Sequence, residues 1–193
     1  MMYEEVSFSQ VRRLVRLAVW AAFMALGAWV SLPIGPVPIT LQTFFIFLAA
    51  FAEGPAAYQA VLLYLGAGLL GLPVFAGGLA GPALVFGPTA GYALSFPLMA
   101  AICGLGRPDG TGQKRQVLAK ALVFGFLGLA LVYLCGAVGL CLNAGYAFPA
   151  ALAINLAFIP GDSAKVVCAA LVAFGLARSR AKATGRGPAE QIV

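Results

Sequence analysis

Long apolar runs, broken by short polar or glycine- and proline-rich segments, set the pattern of this chain. The first run, 14–32, follows Arg12, Arg13 and Arg16. It is long enough to cross a hydrocarbon layer about 30 Å thick. It has no small-residue cleavage site, so it reads as a retained span rather than a signal peptide. Pro33, Pro36 and Pro38 then rule out continuous helix and predict an extended loop.

A short second span is expected over 39–52, a turn at Glu53-Gly54-Pro55, and a third span over 56–72. Thr40, Gln42 and Thr43 open the second span and serve either as caps or as ligand contacts. The charge-free, glycine-rich loop that follows includes Gly77 and Gly78, where backbone can approach a ligand closely. No Gly-Lys-Ser/Thr run follows it, so it is not a phosphate cradle.

Tyr92 begins a fourth span ending near 106, a basic loop fills 107–116, and a fifth span covers 117–142. The apolar segment 150–159 is too short to cross and is expected to pack at the far mouth. A last helix is expected from Asp162 to about 178. The predicted architecture is therefore an all-α integral membrane bundle of six transmembrane helices. A lead over 1–13 precedes the membrane domain over 14–178, and a basic tail over 179–193 follows it.

Composition agrees with this pattern: 62% of the 193 residues are hydrophobic and only 9% are charged. The net charge of +6 does not point to nucleic acid, because the basic residues sit in short segments flanking apolar runs. Their asymmetry predicts that both termini are cytoplasmic, with Arg178, Arg180, Lys182 and Arg186 in the tail. The absence of histidine excludes His-metal sites and Ser-His or Cys-His catalysis. Cys103, Cys135, Cys141 and Cys168 lack Cys-x-x-Cys spacing and read as packing residues, so no metal is expected.

Candidate chemistry concentrates in Pro160-Gly161-Asp162-Ser163-Ala164-Lys165. An ionisable side chain at the bilayer centre costs about 2.5–3.5 kcal/mol or more, so it normally faces a cavity or a partner. Pro160-Gly161 is expected to break the incoming chain and Asp162 to cap the last helix, with Lys165 on the same face. The pair lies toward the outer leaflet, near both outer loops, and this convergence predicts a pocket open to the outside.

A small ligand with a carboxylate, N–H donors and an apolar body fits such a pocket. Alternatively the acid and the lysine pair with each other, and the ligand's polar groups meet backbone atoms of the glycine loops. An intramembrane enzyme is disfavoured, since Ser163 beside Lys165 lacks the supporting groups of a Ser-Lys dyad. A structural scaffold is the third class. On the first span, Ala18/Ala22 and Ala21/Ala25 form a small-residue stripe suited to close helix approach, either within the chain or to a partner. No nucleotide-binding loop is present, so any ATP-driven step needs other subunits.

Four ordered motifs are similar to BioY, the biotin-binding S component of energy-coupling factor (ECF) transporters. They are Gly35-Pro36-Val37-Pro38-Ile39-Thr40-Leu41-Gln42, Gly71-Leu72-Pro73-Val74-Phe75-Ala76-Gly77-Gly78, Gly87-Pro88-Thr89-Ala90-Gly91-Tyr92 and Phe158-Ile159-Pro160-Gly161-Asp162-Ser163-Ala164-Lys165. Ala90 stands where that family often has a second glycine. The resemblance implies an S-component bundle in the prokaryotic cell membrane, an outward biotin pocket and a lid made by the loop after the first helix. It also implies a transmembrane T component and two ABC-type ATPases as partners, with ATP bound by those ATPases and no cofactor on this chain. The ligand-contact set expected from this reading is Asp162, Lys165, Thr40, Gln42, Gly77, Gly78, Tyr92 and Asn155. The docking set is Ala18, Ala21, Ala22 and Ala25. Which residue meets the carboxylate and which the ureido ring is left open.

Overall fold

A computed structural model describes residues 8–184. Residues 1–7 of the expected lead and 185–193 of the expected tail, Arg186 among them, lie outside the described residues. The order is α1 (Phe8–Trp29), β1 (Ser31–Leu32), β2 (Ile39–Thr40), α2 (Gln42–Glu53), α3 (Tyr58–Leu69), α4 (Ala83–Phe86), α5 (Ala90–Gly104), α6 (Lys114–Ala144), α7 (Phe148–Asn155) and α8 (Ile159–Ala183). One-turn 3-10 helices add Pro55–Ala57 and Ala76–Gly78. The helical body thus extends past the expected limits at 14 and 178.

Two of these helices, α6 and α8, are both long and apolar enough to cross a membrane unaided, while α2, α3 and α5 are apolar but shorter. α1 carries Arg12, Arg13 and Arg16 in its own first half rather than ahead of it. Apolar side chains stay exposed on the outer faces of α6 and α8, among them Phe126, Leu127, Leu134, Leu171 and Leu176. Such a surface suits lipid rather than water.

Close packing explains the glycine content. α5 and α6 make the most extensive helix pairing in the bundle. Their backbones touch at Gly91 and Gly139, where a Cβ on Gly139 would lie 2.6 Å from the Gly91 nitrogen. Small residues at that crossing bring the cavity-facing walls of the two helices together. The shared core centres on Phe47, Phe51, Ile46, Met99 and Val166, all nearly inaccessible.

Three local expectations are corrected. Asp162 is not the cap of the last helix. α8 starts at Ile159 with Phe158 at the cap position, and the Asp162 N–H already donates to the Phe158 carbonyl at 2.8 Å. Pro160 opens the helix because a first-turn residue needs no intrahelical N–H and benefits from a preset φ. Thr40 does not begin a helix. Ile39–Thr40 pairs antiparallel with Ser31–Leu32, which closes the proline loop into a small hairpin. The long glycine loop is also not wholly irregular, since it contains the Ala76–Gly78 turn and α4. The segment after α6 does form a short helix, α7, begun by Pro149 in its first turn and packed on α6.

The bundle has two chemically distinct ends. Arg13 donates to Gln59 at 2.7 Å, Trp20 to Glu53 at 3.2 Å, and Arg107 to the Glu53 carbonyl at 3.4 Å. These bonds tie α1, α2, α3 and the α5–α6 loop at the basic end. In that loop Asp109 accepts N–H bonds from Gly112 at 3.2 Å and Thr111 at 3.1 Å, which hold its carboxyl below the usual carboxylate range. The opposite end, where α8 begins, holds both glycine- and proline-rich loops.

Candidate ligand-binding site

A cavity of about 230 Å³ opens at the end where α8 begins. Its walls come from α2, α5, α6 and α8, and its rim from the β-hairpin and the glycine loop. Most of the lining is apolar, including Val37, Phe75, Leu84, Phe96 and Phe158. Within it lie Thr40, Gln42, Thr43, Tyr92, Tyr133, Asp162 and Lys165. Few polar groups in an apolar concavity give a ligand orientation without a large desolvation cost.

Residues three apart on a helix share a face, so α8 presents Asp162 and Lys165 together. Their side chains pair at 2.8 Å and are only 10% and 11% exposed. The Lys165 ammonium also donates to the Thr40 carbonyl and, at 3.1 Å, to Thr43 Oγ1. Thr43 in turn donates to Asp162 Oδ1 at 3.2 Å, and Tyr133 donates to Asp162 Oδ2 at 3.0 Å. The two ions are therefore compensated both by each other and by neutral donors and acceptors, as burial demands. This is the paired arrangement that the sequence offered as one alternative, and the pair still faces the cavity.

Gln42 completes this polar end. Its side chain is 7% exposed, lines the cavity, and has no hydrogen-bond partner among the described residues. Across the cavity, Tyr92 donates to Asn155 Oδ1 at 2.7 Å, and Asn155 Nδ2 donates to the Tyr133 carbonyl at 3.1 Å. A polar chain thus runs from α5 through α7 and α6 to α8.

Of the expected contact residues, Thr40, Gln42, Tyr92, Asp162 and Lys165 meet at this cavity. Asn155 stands behind the wall, 4% exposed and bound to the two tyrosines rather than to the cavity. Gly77 and Gly78 are not in the lining. Their φ angles of 69° and 76° turn the chain, and the flanking Ala76 and Leu79 reach the cavity instead. Tyr133 was absent from the expected set; its one signal in the sequence is a phenol within an apolar span. On α1 the alanine stripe divides: Ala18 and Ala22 are exposed, whereas Ala21 and Ala25 are half-buried against the core.

The rim is tied down by side chains. Asn143 donates to the carbonyls of Val85 and Gly87 at 3.0 and 3.1 Å, and Trp29 to that of Pro73 at 2.9 Å. The glycine loop is thereby fastened to the ends of α6 and α1.

Known proteins are similar to this chain in sequence and in fold. A protein of Thermotoga maritima described as "Biotin transporter BioY" is 38% identical over 170 residues, covering 86% of this chain and 96% of that protein. A "Probable biotin transporter BioY" of Pyrococcus horikoshii is 38% identical over 158 residues, covering 81% of this chain and 91% of that protein. A crystal structure of the S-component for biotin from an ECF-type ABC transporter superposes with a TM-score of 0.77 at 31% identity. The superposition covers 87% of this chain and 92% of that one. The BioY family model itself matches residues 2–182, and the chain belongs to the BioY family.

Proposed function

We propose that this chain is the substrate-capture subunit of an ECF-type transporter and that its ligand is biotin, bound in the cavity at the start of α8. The observation that carries this is the buried Asp162–Lys165 pair facing a small, mostly apolar cavity. Biotin has a carboxylate tail, a ureido ring with N–H donors and an apolar body. Lys165 and the Gln42 amide suit the carboxylate, while the phenol oxygens of Tyr92 and Tyr133 suit N–H donors. The hairpin loop with Pro36, Val37 and Pro38 serves as the lid. The chain performs no chemistry on its ligand, needs no cofactor, and acts as a binding subunit rather than an enzyme.

In this reading α1, α2, α3, α5, α6 and α8 are the six spans of a multi-pass protein of the prokaryotic cell membrane. Basic residues gather at one end, which supports cytoplasmic termini and a cavity on the outer side. The energy for transport comes from a transmembrane T component and two ABC-type ATPases that bind ATP. Ala18 and Ala22 supply the outward half of the docking face, and Ala21 and Ala25 seat α1 on its own bundle. Residues 8–183 form the membrane domain, with biotin and the bilayer as its other partners.

Equilibrium titration of the purified protein with a panel of carboxylate-bearing vitamins tests the reading. Saturable binding of biotin alone is expected. Selective binding of a different vitamin, or of none, refutes it.

A further inference from the structure

Hydrogen-bond polarity around Asn155 bears on what the cavity selects. The Tyr133 backbone carbonyl can only accept, so the atom of Asn155 facing it is the Nδ2 donor, 3.1 Å away. The other end of the carboxamide is then Oδ1, which can only accept. Tyr92, 2.7 Å from that oxygen, must donate to it. By the same logic Tyr133 donates to the Asp162 carboxylate at 3.0 Å. Both phenol protons are thus committed to protein acceptors, which leaves each phenol oxygen only lone pairs to offer, and both tyrosines line the cavity.

We propose that Asn155 is a positioning residue for specificity. By fixing the direction of the Tyr92 hydroxyl, it makes this wall an acceptor for ligands bearing N–H groups, such as a cyclic urea. This rests on the reading of the cavity as the biotin site and deepens it. A hydroxyl free to rotate would accommodate an acceptor as readily as a donor; a locked one leaves its lone pair unmet unless an N–H arrives. Sites built in this way reject analogues that lack the hydrogen-bonding group more strongly than apolar pockets reject a missing methylene. Asn155 reaches this position because α7 is too short to cross and lies against α6, with Asn155 at its last turn, 4% exposed.

The test titrates purified wild type, Asn155→Ala, Tyr92→Phe and the double variant with biotin and with an analogue methylated on one ureido nitrogen. Wild type is expected to favour biotin. Asn155→Ala and Tyr92→Phe should each cut that preference about tenfold, the order expected for one buried hydrogen bond. The double variant should lose no more than Tyr92→Phe. Equal weakening of both ligands by Asn155→Ala, with the preference intact, reduces Asn155 to a structural role and overturns the proposal. Should Asn155→Ala not fold, the near-isosteric Tyr92→Phe decides alone, and an unchanged preference overturns the proposal. Asp162→Asn separates the two levels. If it binds biotin as wild type does, the site reading fails; if it loses binding while the other variants keep their preference, only the role of Asn155 fails.

Discussion

Replacing Lys165 by methionine removes one charge from a buried pair while keeping most of the side-chain volume. In the native structure the ammonium is 2.8 Å from Asp162 Oδ1 and 3.1 Å from Thr43 Oγ1, and it also meets the Thr40 carbonyl. After substitution Asp162 keeps Tyr133 and Thr43 as donors but loses its counter-ion. Leaving one member of a buried pair uncompensated costs about 3–5 kcal/mol of stability. Losing a buried charge-assisted contact to ligand costs about 2–5 kcal/mol, a rise in Kd from about 30-fold to several thousand-fold. Adding Asp162→Leu to Lys165→Met removes the orphaned charge, and such apolar replacements are often neutral or stabilising by about 1–4 kcal/mol. Thermal melts in detergent and equilibrium biotin titrations separate the two effects. The double variant should regain stability and remain unable to bind. Unchanged affinity in Lys165→Met, or affinity recovered along with stability in the double variant, would refute the assignment of Lys165 to the ligand.

Gly139→Val places side-chain atoms where only 2.6 Å separates the Cβ position from the Gly91 nitrogen. It should lower the melting temperature through about 1–3 kcal/mol of overpacking and weaken ligand binding by spreading α5 from α6; an unchanged melt contradicts that crossing. Ala22→Leu adds bulk on the exposed side of α1 and should leave biotin affinity intact while reducing co-purification with a T component and ATPases. Retained co-purification moves the docking face elsewhere. Asp109 has its carboxyl depressed by the Gly112 and Thr111 amides. Its contribution to loop order is therefore present above the ordinary carboxylate pKa and lost as pH falls through the lowered folded value. Protection of the Thr111 and Gly112 amides against hydrogen exchange, taken relative to their intrinsic rates at each pH, should fall on acidification and lose that dependence in Asp109→Ala.

The sequence made legible the elements whose signals are local. Apolar run length located most helices, and Asp162 and Lys165 stood out because charge inside an apolar run needs a reason. Their three-residue spacing gave their shared face directly. Proline was harder to read: Pro160 looks the same as a breaker or as a first-turn residue, and only the chain around Phe158 and Ile159 decides. The hairpin at Ile39–Thr40 depends on a partner strand across a loop of three prolines, a non-local pairing that propensity does not encode. Tyr133 is missing from the expected contacts, and Asn155 is expected at the ligand rather than behind the wall, for a related reason. Their roles arise from α5, α6, α7 and α8 meeting in space, through bonds between residues as far apart in sequence as 63 positions. Gly77 and Gly78 use the backbone freedom that glycine allows, but to turn the rim rather than to line the cavity.

The central claim is that biotin rests in the cavity at the start of α8, against Asp162 and Lys165. An experimental structure of the protein at saturating biotin tests it most directly. Ligand density is expected within contact of Lys165, Gln42, Tyr92 and Tyr133, beneath the hairpin loop. An empty cavity, or density outside it with Lys165 still bound only to Asp162, Thr43 and the Thr40 carbonyl, would contradict the account.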